Sequence, residues 1–102
     1  MISYYSVVAI RNFKDKEAEQ IFGGRFSKKL PQQIQQRARR RLVQLSAAMS
    51  LEDLRLPTSN RLEALEGDRK GQHSIRINQQ YRVCFVWKGR DAQDVEIVDY
   101  HR

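Results

Sequence analysis

Apolar residues at intervals of three and four predict two helices in the first half of the chain. Between Asp15 and Phe22 the residues Ala18, Ile21 and Phe22 share one face, and two glycines follow as a stop. A second helix begins at Pro31 and carries a longer apolar stripe, made of Ile34, Ala38, Leu42, Leu45 and Met49. We expect both apolar faces to pack on the core.

Short apolar-rich runs separated by turn residues predict a sheet in the second half. Ser50 and Asp53 first mark a capped helical turn that Pro57 ends. The predicted strands are residues 61–65, 73–77, 81–87 and 94–100, and Met1 to Phe13 is extended as well, with a first strand around Tyr4, Tyr5, Val7 and Val8. This order of elements indicates one domain, residues 1–102, of the α+β class, with helices on a mostly antiparallel sheet.

The strands have two different faces. Alternation places Tyr81, Val83, Phe85 and Trp87 on one face, which suits the helices. The other face carries Ser74, Arg76, Arg82, Val98 and Tyr100. Because no remaining segment is long enough to cover this second face, we expect it to form an open binding cleft.

Positive charge is concentrated in one part of the chain. The formal net charge is +7, and the segment from Gly23 to Ser50 contains no Asp or Glu but seven cations. A field of this kind favours nucleic acid or an acidic protein as the partner. Arg37, Arg40 and Arg41 lie off the apolar stripe of the second helix, where they either face solvent or contact RNA or a ribosome.

Several classes of protein do not fit the sequence. No apolar run approaches the ~20 residues of a membrane span, and no signal peptide is convincing, so we expect a cytoplasmic protein. The single cysteine, Cys84, lies in a predicted strand and favours a reducing compartment. Two histidines and one cysteine at no recognisable spacing argue against a metal site, and no phosphate-loop or nucleophile-elbow motif occurs. We therefore expect neither metal nor cofactor.

The remaining side chains suit chemistry on RNA, which carries its own nucleophile in the 2′-OH. His101 has the best intrinsic pKa for proton transfer, but it also fits a frayed tail. Arg82 interrupts an apolar strand, so it is either paired with a carboxylate such as Asp99 or exposed in a cleft. Arg76 is a phosphate contact or a plain exposed strand residue, His73 shares its face with core residues, and Tyr100 stacks on a base or packs on the sheet.

Four runs of sequence resemble the HigB-type toxins of the RelE/ParE superfamily. They are residues 61–65 (RLEAL), 67–78 (GDRKGQHSIRIN), 81–85 (YRVCF) and 95–101 (VEIVDYH), preceded by a typical beginning at residues 10–16 (IRNFKDK). The first nine residues look like an extension. The resemblance implies a compact RelE-like microbial RNase fold and a ribosome-dependent mRNA interferase. It also implies a HigA-type helix-turn-helix antitoxin, which binds the toxin and, with it, operator DNA.

The resemblance also assigns roles to residues. Asp99, Tyr100 and His101 match the family's catalytic ending, Arg82 matches the sheet arginine that stabilises the scissile phosphate, and Arg76 corresponds to a second one by strand placement. RNA contacts are expected from Arg69, Lys70 and His73 and, toward ribosomal RNA, from the helix cations Arg37, Arg40 and Arg41.

One departure concerns two carboxylates. Glu63 and Glu66 stand where some HigB toxins have His and Lys. Either Arg69 and Lys70 replace the missing cation, or the activity is weaker, or Glu66 serves as a base. Two other functions stay open: a ParE-like toxin that acts on DNA gyrase without cutting RNA, and a co-repressor subunit that acts mainly with its antitoxin.

Overall fold

The computed structural model describes residues 9–100 and confirms the α+β class. The predicted first strand around Tyr4 and the candidate His101 lie outside the described residues. The elements are helices α1 (Lys16–Phe22) and α2 (Gln32–Ala47), strands β1 (Glu63–Ala64), β2 (His73–Arg76), β3 (Tyr81–Lys88) and β4 (Asp91–Asp99), and three 3-10 turns (Leu51–Arg55, Thr58–Asn60 and Gly67–Arg69). Between residues 9 and 100, no helix is both long and apolar enough to cross a membrane.

Helix α1 forms as its sequence predicts. The Asp15 carboxylate accepts a hydrogen bond of 2.7 Å from the amide of Ala18, which satisfies an otherwise unpaired donor at the helix start. Ala18 and Ile21 are buried. Gly23 closes the helix with its amide on the carbonyl of Glu19, and the left-handed Gly24 (φ 86°) turns the chain away.

Helix α2 buries most of its predicted stripe, namely Ile34, Ala38, Leu42 and Leu45. The prediction is wrong at Met49, which lies beyond the helix and is 67% exposed. The helix stops at Ala47 because Ala48 is extended and the Asp53 carboxylate takes the amides of Met49 and Ser50 at 2.9 and 3.3 Å. The predicted cap of the next turn therefore ends the helix one turn early.

The four strands pair in the order β1-β2-β3-β4, and each neighbouring pair is antiparallel. Both helices pack on the face that carries Ile75, Val83, Phe85 and Val95, all fully buried. Ahead of α1, Ile10 and Phe13 form isolated parallel bridges with Ala92 and Val95. The mostly antiparallel sheet predicted from the sequence is thus confirmed.

The predicted strand at residues 61–65 is confirmed only at Glu63 and Ala64. Upstream, the side-chain amide of the buried Asn60 donates hydrogen bonds to the carbonyls of Leu54 and Leu56. These bonds hold the 3-10 turn that directly precedes Arg61. Arg61 leaves that turn in the left-handed region, with φ 46°. The extended backbone therefore begins after Arg61.

The second face of the sheet is closed at its centre, so the expected open cleft is wrong there. Ser74 and Cys84 face each other across β2 and β3, and neither is exposed to solvent. Arg82 donates to the hydroxyl of Ser74 at 2.8 Å, and the phenol of Tyr100 reaches the thiol of Cys84. Burial raises the pKa of Cys84 to about 11, which fits the predicted role of a sheet residue.

Candidate active site

Arg82 is fixed in the middle of the second face. Its side chain is only 13% exposed, and Nη1 lies 2.8 Å from the hydroxyl oxygen of Ser74, 3.3 Å from the Arg61 carbonyl and 3.4 Å from Oε1 of Glu63. In the described part of the chain these contacts all use Nη1. The outer N–H groups of the guanidinium have no partner among residues 9–100, so they can bind an anion.

Tyr100 lies against this guanidinium. The Cζ atom of Arg82 is 5.7 Å from the centre of the Tyr100 ring, within the range of a cation–π contact. Partial burial and the neighbouring Cys84 raise the pKa of the phenol, against the opposing effect of Arg69 and Arg82. Tyr100 therefore stays protonated at neutral pH and can act as a hydrogen-bond donor.

Arg69, a predicted RNA contact, makes an internal ion pair. Its Nη1 lies 2.9 Å from Oε2 of Glu96 and 3.0 Å from Oε1 of Gln72, and the bond to Glu96 raises its pKa. Lys70, the next residue, is exposed and takes part in none of the ion pairs described for residues 9–100. Of the two cations expected to compensate for Glu66, Lys70 is thus the available one.

Two other predicted site residues lie away from Arg82. Asp99 is the register partner of Tyr81, so its side chain is on the face opposite Tyr100. Its carboxylate accepts a hydrogen bond of 3.1 Å from the side-chain amide of Gln80. His73 stacks on the core residue Phe85 with ring centres 6.4 Å apart. Its Nδ1 is buried without a partner among the described residues. The structure therefore brings together Arg82 and Tyr100, but neither Asp99 nor His73.

Arg76 connects this site to helix α2. It lies directly opposite Arg82 in the β2–β3 register. Arg41 donates from Nε to the Arg76 carbonyl at 2.8 Å, and Arg37 donates to the next carbonyl, that of Ile77, at 3.3 Å. Arg40 is exposed on the same helix. Two of the helix cations predicted from the sequence, Arg37 and Arg41, thus reach the sheet beside Arg76, whereas Arg40 is exposed.

Sequence reasoning missed the roles of Ser74 and Arg61 at this site. Ser74 supplies the hydroxyl that holds Arg82, and alternation along the strand already placed it on the Arg82 face. The carbonyl of Arg61 is a second support for Arg82. No local sequence signal indicates that contact, because it depends on a backbone turn 21 residues away.

Comparison with known proteins identifies the family. Residues 11–101 match the family described as the RelE-like toxin of type II toxin-antitoxin system HigB. The chain belongs to the HigB-like toxin family. The resemblance inferred from the sequence is thereby confirmed, together with the RelE-like fold, and a toxin-antitoxin family implies an antitoxin partner.

Individual relatives agree with this assignment. The chain is 45% identical over 76 residues to Toxin HigB-1 of Vibrio cholerae serotype O1, which covers 74% of this chain and 80% of that protein. It is 29% identical over 92 residues to Endoribonuclease HigB of Proteus vulgaris, covering 90% and 99%. An uncharacterized protein of Haemophilus influenzae is 33% identical over 67 residues, or 66% of each chain.

Proposed function

We propose that this HigB-family toxin is an endoribonuclease that cleaves mRNA on translating ribosomes without a metal ion. The observation that carries the proposal is the mostly buried Arg82, which Ser74, Arg61 and Glu63 fix while its outer N–H groups are unused in the described contacts. A preorganised cation of this kind stabilises charge that develops in a transition state. The name of the Proteus vulgaris relative, Endoribonuclease HigB, supports the same activity.

The proposed reaction uses the 2′-OH of the RNA as nucleophile. Its oxygen forms a bond to the adjacent phosphorus while the bond from phosphorus to the 5′ oxygen breaks, which leaves a 2′,3′-cyclic phosphate and a 5′-OH end. Arg82 binds the non-bridging oxygens as they gain negative charge. Tyr100, held protonated, stacks on a neighbouring base or donates to the phosphate.

We assign proton transfer to His101, which corresponds to the terminal histidine of the family. An imidazole has an ordinary pKa near the pH of the cell and can both accept and donate a proton. Asp99, with its carboxylate on the other face of the sheet end, fits a role in supporting the C-terminus better than a contact with the phosphate.

The proposed partners follow from charge and family. The exposed cations of α2, Arg40 among them, would bind ribosomal RNA and make cleavage depend on the ribosome. A HigA-type helix-turn-helix antitoxin would neutralise the toxin and bring it to operator DNA, so the toxin itself would have no direct DNA contact. We propose that it works in the cytoplasm.

The test is cleavage of a message during translation by purified toxin stripped of transition metals. We expect cuts that end in a 2′,3′-cyclic phosphate, loss of those cuts with Arg82→Ala and with His101→Ala, and normal cutting by Arg90→Ala. Arg90 is an exposed residue of the β3–β4 turn and provides a control that removes the same charge. An intact message under conditions where the toxin still arrests growth would overturn the proposal. A DNA-damage response in those cells would indicate a ParE-like action on gyrase instead.

A further inference from the structure

Four arginines line one cleft between α2 and the end of β2. This arginine cleft, with a volume of about 480 Å³, is formed by Arg37, Arg41, Arg61 and Arg76 together with Ser59, Ile77, Asn78 and Gln79. No carboxylate is among these lining residues. The ion pairs described between residues 9 and 100 likewise involve none of the four arginines. The cleft therefore holds positive charge that the described residues do not neutralise.

The arginines are held in place although they repel one another. Arg41 donates from Nε to the Arg76 carbonyl at 2.8 Å and from Nη2 to the hydroxyl of Ser59 at 3.3 Å. Burial and the neighbouring Arg37 and Arg40 lower the pKa of Arg41. Carbonyl and hydroxyl oxygens position these side chains but carry only partial charge. A bound anion would relieve the remaining repulsion.

The arginine cleft continues into the candidate active site. A neighbouring depression shares Ser59 and Arg61 with the cleft, and a third depression, which reaches Tyr100, shares Glu63 with the second. Arg61 joins the two sites, because it is one of the residues that line the cleft and its carbonyl binds Arg82. The connecting depressions also carry the carboxylates of Glu63 and Glu66, so the path from Tyr100 to Arg61 is less positive than the cleft itself.

The backbone of Arg61 has an uncommon conformation at the point where the two sites meet. Its φ of 46° lies in the left-handed region, which glycine occupies without strain and arginine does not. Strained positions of this type are concentrated at functional sites. At Arg61 the conformation caps the turn Thr58–Asn60, with its amide on the Thr58 carbonyl at 3.0 Å, and directs the chain between the cleft and Arg82.

We propose that the arginine cleft binds a second phosphate of the same RNA strand, one that flanks the scissile phosphate at Arg82. The order of the two phosphates rests on the proposed function, whereas the phosphate site itself does not. Guanidinium groups match the geometry of phosphate oxygens, and Ser59, Asn78 and Gln79 add neutral hydrogen-bond groups for sugar and base. Continuity with the Arg82 site favours RNA over the acidic side chains of a protein.

The experiment measures binding of a 2′-deoxy tetranucleotide, which has three phosphates and cannot undergo attack by a 2′-OH, at several salt concentrations. Arg61→Gly removes the guanidinium and keeps both the carbonyl and a residue suited to positive φ. Arg76→Gln removes a second cation without touching the carbonyl that Arg41 binds. Arg90→Ala is the charge-matched control. We expect each cleft variant to weaken binding about tenfold and to reduce the salt slope by about one, as loss of one phosphate contact does.

Each outcome decides the proposal. If Arg61→Gly and Arg76→Gln bind the tetranucleotide with the same affinity as Arg90→Ala, the proposed phosphate site does not exist, even when the wild-type toxin cuts mRNA. If the two variants weaken binding to the antitoxin but not to the tetranucleotide, the cleft is a site for an acidic protein and the proposal is overturned. Thermal melts check folding, and if Arg61→Gly is unfolded, Arg76→Gln decides alone. Binding to the cleft in a protein that cuts no message would leave the site in place and remove only the proposed function.

Discussion

The guanidinium of Arg82 lies over the ring of Tyr100, with 5.7 Å between Cζ and the ring centre. Both side chains project from the same face, because Val98 is the register partner of Arg82 and Tyr100 follows two residues later. The ring shields one side of a cation that Ser74 and the Arg61 carbonyl hold from other directions. A cation supported in this way can meet a phosphate without reorganising.

Replacement of Arg82 tests whether a fixed fork of N–H groups is required or only a positive charge. We expect Arg82→Ala to lower the single-turnover rate of cleavage by about 10²–10³-fold. Arg82→Lys should recover only a small part of that loss. A guanidinium can donate to Ser74 from one nitrogen and to a phosphate from the others, whereas an ammonium group lacks this planar fork of donors. A lysine variant as fast as the wild type would contradict the role of the planar fork. Arg90→Ala serves as the control for net charge.

Tyr100 allows the ring and the hydroxyl to be tested separately. If the ring acts by stacking on Arg82 and on a base, Tyr100→Phe should keep cleavage within about threefold while Tyr100→Ala loses about 10–100-fold, given the usual strength of base stacking. The measurement is the cleavage rate at saturating and at low RNA. If Tyr100→Phe is as slow as Tyr100→Ala, the protonated phenol is the group that matters.

The sequence predicted the helices and the core face of the sheet well, because both depend on local patterns. The stop at Gly23 and the cap at Asp53 are hydrogen bonds within a few residues, and Val83 and Phe85 fall on one face of β3 by simple alternation. It failed where a distant contact decides the backbone. The side chain of Asn60 binds carbonyls of the preceding turn. Residues 61 and 62, which were predicted to be in the strand, therefore lie outside β1.

Part of the candidate site could be predicted from strand alternation, but the contacts within it could not. Strand alternation placed Ser74, Arg76 and Arg82 on one face, and the register confirms it. It could not show that Arg69 pairs with Glu96, 27 residues away, or that Glu63 is the carboxylate that pairs with Arg82 among the described residues. Such pairings depend on how β1 and the following turn fold over the sheet, and charge counts along the chain do not record them.

The end of α2 can be tested with two apolar residues of the same predicted stripe. Leu45 is fully buried, so Leu45→Ala should lower the free energy of unfolding by about 2–5 kcal/mol. Met49 lies beyond the end of the helix and is 67% exposed, so Met49→Ala should change the free energy of unfolding by no more than about 0.5 kcal/mol. Urea unfolding of both variants gives the comparison. A large cost at Met49 would mean that the helix and its core contacts extend past Ala47.

Asp15 makes stability depend on pH in a direction opposite to that of most carboxylates. Its two oxygens accept from the amides of Ala18 at 2.7 Å and Ile97 at 3.1 Å, yet burial outweighs these bonds and raises its pKa above 3.8. The folded protein therefore binds a proton at Asp15 more tightly than the unfolded chain does. As pH falls from neutral through the raised pKa, this residue should add stability, and as pH rises that contribution should be lost.

The variant Asp15→Asn isolates the effect, since other titrating groups cancel in the difference from the wild type. Asparagine can cap Ala18, but its NH₂ group faces the Ile97 amide, so we expect a cost of about 1–2 kcal/mol. Because the wild type alone gains stability from protonation of Asp15, the wild-type advantage should be larger at about pH 4.5 than at about pH 7. Denaturant unfolding at the two pH values measures it, with Glu19→Gln, an exposed acid of the same helix, as control. A larger advantage at neutral pH would mean that the hydrogen bonds outweigh burial and hold the carboxyl pKa down.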